Sequence, residues 1–87
     1  MSDIVTKGRI TIMLGKRQAA TGERVSLRRL AQIAGVPKDL VYRLDAGEAR
    51  YVDLRALARL CDVLQCHADD VLVWEERGGD GRSDESL

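Results

Sequence analysis

Phenylalanine is absent from this chain, tryptophan occurs once and tyrosine twice. Any core must therefore be built from Leu, Val, Ile and Ala. With 87 residues, folding buries roughly 60–65% of the unfolded surface, which suits one small domain and excludes two. Long apolar runs are also missing. No segment approaches the ~20 apolar residues that span a bilayer. Residues 1–4, Met-Ser-Asp-Ile, lack the basic and apolar regions of a secretory signal. Two cysteines in such a chain read as free thiols in a reducing cytoplasm. There is no P-loop and no G-x-G-x-x-G, and no residue pattern points to an enzyme. The sequence implies no cofactor.

What is present is an uneven charge. Fourteen basic residues balance fourteen acidic ones, so the net charge is zero. Residues 7–59, however, carry 12 basic against 5 acidic residues, an excess of +7. Residues 61–87 carry 8 acidic against 2 basic, an excess of −6. A basic segment of this kind offers a face to phosphates, although the charges also have partners within a fold.

The apolar spacing predicts five short helices. Ile10, Met13 and Leu14 place the first over 9–20, closed by Thr21-Gly22. Ile10-Thr11-Ile12 would equally begin a short strand. Ser26 is an N-cap for a second helix, with Leu27, Leu30, Ala31 and Ala34 on its apolar face and Gly35 at its end. Pro37 opens a third, carried by Leu40, Val41 and Leu44 to Gly47. Asp53 caps a fourth, in which Leu54, Leu57, Leu60, Cys61 and Leu64 repeat at three and four. A fifth covers 68–73, with Asp69 and Asp70 in its first turn, where acids suit the dipole. It brings Val71, Leu72 and Trp74 back to the core. Residues 1–8 read as a flexible N-terminus, 9–74 as the domain and 75–87 as a disordered acidic tail.

The informative stretch is residues 26–47, SLRRLAQIAGVPKDLVYRLDAG. Two short helices meet at a turn on Gly35. Ala31 lets them approach, and Val36, Val41 and Leu44 fix the second against the first. That is the construction of a helix-turn-helix, whose second helix is free to enter a major groove. The turn core L-A-x-x-A-G-V at 30–36 and V-x-R-L-x-x-G at 41–47 resembles the Cro/C1-type helix-turn-helix domains, the XRE family. The run VDLRALARLCDVLQCHADDVL at 52–72 is similar to that family's fourth and fifth helices. The resemblance covers about three-quarters of the chain.

It implies an all-α, five-helix, lambda-repressor-like fold and a sequence-specific regulator of transcription that binds double-stranded DNA. Such a regulator would be a repressor acting as a homodimer on a pseudo-palindrome. Carried over by position, Lys38, Asp39, Leu40, Tyr42 and Arg43 would face the bases. Arg28, Arg29 and Arg50, with backbone amides near Asp53, would hold phosphates. Val71, Val73 and Trp74 would form the dimer surface. Two readings compete residue by residue: Arg43 pairs with Asp45, or Tyr42 covers the core edge. The chain departs from the family at Leu27, where a Gln or Thr often braces a phosphate contact.

Cys61, Cys66 and His67 raise the question of a metal. Structural zinc takes four ligands in paired short spacings, and no second cluster exists here. Cys61 reads as core filler. Two other functions remain open. One is an antitoxin or phage-type accessory regulator that also binds a partner protein. The other is a helical adaptor that binds protein alone.

Overall fold

The computed structural model describes residues 2–76; most of the acidic tail, 77–87, lies outside the described residues. The order of elements is β1 (Ser2–Val5), α1 (Arg9–Thr21), α2 (Leu27–Ala34), α3 (Lys38–Ala46), α4 (Leu54–Leu64), α5 (Ala68–Val71) and β2 (Val73–Glu76). The five helices are those the spacing predicts, and Ile10-Thr11-Ile12 is helical.

Local chemistry sets the helix ends. The Ser26 hydroxyl accepts the Arg29 amide at 3.1 Å. The Asp53 carboxylate accepts the Arg55 and Ala56 amides at 2.8 and 3.3 Å. Each satisfies amides that the first helical turn leaves without a partner. Gly35 ends α2 at φ 70°, and its N–H is shared by the Ala31 and Gln32 carbonyls. Gly47 ends α3 at φ 76°. A Cβ at Gly35 would meet nothing within 4 Å, whereas one at Gly47 would stand 2.9 Å from the Lys7 Cβ. Gly35→Ala therefore costs the left-handed backbone term alone, about 1–2 kcal/mol. Gly47→Ala adds a backbone-level clash and should lower the urea midpoint further than Gly35→Ala does. Equal midpoints would contradict the close approach of Lys7.

Fourteen buried side chains form one core, with Ile10, Leu30, Val41, Leu44, Leu60 and Val71 fully enclosed. It sits where α2 and α4 pack together, with α3 laid across α2 and α1 closing the other side. Thr6 is the one buried polar residue among those described.

Three expectations are revised. The N-terminal residues read as flexible include β1, which pairs antiparallel with β2 in the register Ser2↔Glu76, Ile4↔Trp74 and Val5↔Val73. Helix α5 stops at Val71, and Val73 and Trp74 belong to β2, because these β-favouring residues have a strand to pair with. Trp74 is 65% exposed rather than part of the core. Its indole N–H donates to Glu76 Oε2 at 3.2 Å, and the Ser2 hydroxyl donates to the same oxygen at 2.6 Å. Those two bonds, Ser2's first, hold the Glu76 carboxyl below the usual carboxylate range. The sheet is a small addition to a five-helix domain.

Candidate nucleic-acid interface

Helix α3 carries two faces that do different work. Val41 and Leu44 point inward and are buried against the core. Lys38, Asp39, Tyr42 and Arg43 are exposed, and their spacing of one, four and five places them on one outward face. Leu40 is half-buried at the margin and packs on the core. Tyr42 is thus exposed instead of covering the core edge. Arg43 is not paired with Asp45. The Asp45 carboxylate takes the Thr11 amide and hydroxyl at 2.9 and 2.7 Å. The one ion pair found among the described residues, Arg17–Glu23 at 3.3 Å, lies elsewhere.

Arg43 and Arg50 come together. With Leu40, Glu48, Ala49 and Tyr51 they line an open groove of about 380 Å³ beside the last turn of α3. Tyr51 is 90% exposed. Nothing in the sequence singles Tyr51 out; only the fold shows it exposed beside Arg43 and Arg50. Arg28 and Arg29 stand on the exposed side of the first turn of α2. The Arg29 guanidinium also donates to Gln32 Oε1 at 3.2 Å.

Two proposed site residues take other roles. Asp53 fills, with its own carboxylate, the amides a phosphate would need, and its charge repels a phosphate. It is a helix cap. Val71 is fully buried inside the domain, so it has no surface to offer a second subunit. Val73 is half-buried and Trp74 exposed.

Cys61 is buried in the core and Cys66 is half-buried against it, both as free thiols. Burial pushes both thiols up, Cys66 to about 12, with neighbouring Cys61, Asp70 and Asp69 adding to it. Donor atoms of His67, Asp69 and Asp70 lie within 4.8 Å of one another. The start of α5 explains that grouping, since Asp70 Oδ2 accepts the His67 amide at 2.9 Å.

An exposed helix with a polar, cation-bearing outer face, held by its inner face against a partner helix across a glycine turn, defines a helix-turn-helix DNA-binding domain. The family model for Cro/C1-type helix-turn-helix DNA-binding domains matches residues 9–77. The chain belongs to that family. No curated protein sequence matches it. No described helix is long and apolar enough to cross a membrane.

Proposed function

We propose that this DNA-binding regulator is a repressor that acts as a homodimer on a pseudo-palindromic operator. The observation that carries the reading is the α3 face of Lys38, Asp39, Tyr42 and Arg43, exposed while Val41 and Leu44 lock the helix from behind. Lys38 and Arg43 suit guanine O6 and N7, and Asp39 suits a cytosine amino group. Arg28, Arg29 and Arg50 hold flanking phosphates. Repression follows from occlusion, since a bound domain blocks polymerase. The protein works in the cytoplasm, on the nucleoid when bound.

One domain of this size reads too few base pairs for high specificity, which favours a pair on two half-sites. The surface for pairing is the outer face of the sheet, where Ile4 and Trp74 are cross-strand partners and both exposed. The same pair of side chains would serve a partner protein, as in an antitoxin-like or phage-type accessory regulator.

Selection from random duplex DNA near physiological salt tests the reading. An enriched inverted repeat, with half-site centres about one helical turn apart, supports the dimeric operator reader. A single enriched half-site retains DNA reading and removes the homodimer. Salt-sensitive background binding with no enrichment removes sequence-specific regulation.

A further inference from the structure

Helix α3 is short, and Lys38, Asp39, Tyr42 and Arg43 on its outer face are exposed. Two core side chains, Val41 and Leu44, resist its rotation about its own axis. Its far end is held by something else. The Thr6 hydroxyl donates to the Leu44 carbonyl at 2.6 Å. The Gly8 amide donates to the Asp45 carbonyl at 2.8 Å. The Asp45 carboxylate, in return, accepts the Thr11 amide and hydroxyl.

The exchange is reciprocal and has a cause. Helix α1 has Gly8 at its N-cap, which has no side chain to cap it. Thr11 is the third residue of α1, the position whose amide an N-cap side chain ordinarily takes. Asp45, from another helix, supplies the missing acceptor. In exchange, the chain segment before α1 supplies donors to two carbonyls at the end of α3: that of Asp45, and that of Leu44, which also accepts the Gly47 amide at 3.1 Å. Thr6 is 8% exposed, and a buried hydroxyl with a 2.6 Å bond is directional and costly to displace.

We propose that Asp45 and Thr6 are positioning residues for DNA reading: they form a two-way latch between α1 and the end of α3 that fixes the angle at which Lys38, Tyr42 and Arg43 meet the bases. The proposal rests on the DNA-reading role of α3. Neither residue touches DNA. Base contacts need directional alignment, whereas non-specific phosphate attraction does not. Loosening the latch therefore lowers specific binding and spares non-specific binding.

The test uses the full chain, at a temperature where circular dichroism shows every variant folded. Asp45→Ala removes the acceptor. Asp45→Asn keeps an oxygen for the Thr11 amide and offers an NH₂ to its hydroxyl. Thr6→Val and Thr6→Ser form a second such pair. Two readouts are taken: the amide chemical shifts of residues 38–43 without DNA, and the ratio of Kd on a scrambled duplex to Kd on the selected one.

Asp45→Ala and Thr6→Val should each shift the α3 amides and lower that ratio roughly tenfold, about the worth of one imperfect base contact. Asp45→Asn and Thr6→Ser should restore both readouts. An unchanged ratio in folded Asp45→Ala overturns the proposal, and so does an Asp45→Asn variant that behaves like Asp45→Ala, because the effect is then one of charge. If Asp45→Ala does not fold, the Thr6 pair decides by the same criteria. Absence of duplex preference in the unmodified chain is a separate result that overturns the DNA reading, and the positioning role with it.

Discussion

Arg43→Ala should weaken binding to the selected duplex about 10- to 100-fold, at an unchanged fold. Arg43 is exposed in the last turn of α3 and shares a groove with Arg50 and Tyr51. The packing of that turn belongs to Leu44, not to Arg43. Truncation therefore removes the proposed DNA contact and leaves the core alone, and exposed substitutions of this kind change stability by about 0.5 kcal/mol or less. The pattern of loss also identifies the contact. If Arg43 reads a base, preference relaxes at one position of the site. If it holds a phosphate, affinity falls evenly on all sequences and the salt slope drops by about one. Gel-shift titrations at three salt concentrations separate the two. Undiminished affinity on every duplex would remove Arg43 from the interface.

The largest effect on stability is expected at Leu60. It is fully buried in α4, which packs on α2 at the centre of the core. Leu60→Ala removes its contacts and leaves a cavity, at a cost of about 2–5 kcal/mol. A domain of this size holds about 5–10 kcal/mol in total, and no large aromatic side chain lies nearby to move into the space, since the chain has no Phe and Trp74 lies on the surface. The melting temperature should fall by about 10–40 °C, and urea unfolding should give the same loss in free energy. A change of under about 1 kcal/mol would mean that the site collapses around the deletion more fully than close packing allows.

Those two residues were legible in the sequence for the same reason. Both belong to elements whose signals are local. The capping residues Ser26 and Asp53, the turn at Gly35 and the three-and-four spacing of α4 lie within a few residues of what they control. Four helices follow from them with ends displaced by a residue at most. The features missed depend on distant partners. Strand β1 is four residues long and has no recognisable pattern until β2 lies beside it, about seventy residues away. Thr6 and Asp45 look like ordinary loop and surface residues until the fold puts them on opposite sides of one joint. Asp53 shows a different difficulty. A carboxylate at a helix start and an amide cluster for phosphate occupy the same place, and the hydrogen bonds are needed to show which one holds it. Val71 has both a core and a dimer-surface reading in the sequence, and only its full burial in the fold selects the core.

The sheet also imposes an order on folding. The α2–α3 hairpin closes over a turn of a few residues, whereas β1 meets β2 only after a loop of roughly 70 residues has closed, a search that costs about 2.5 kcal/mol more in chain entropy. Local helical contacts form early, and the long-range closure comes late. Segment 2–8 is thus expected to settle late, and hydrogen exchange of its amides earlier than those of α2 and α4 would show it. Because Thr6 and Gly8 belong to that segment, a nascent or partly opened molecule can have its helices in place while the end of α3 lacks these two bonds, and, if the latch acts as proposed, competence to read a sequence arrives with the last closure.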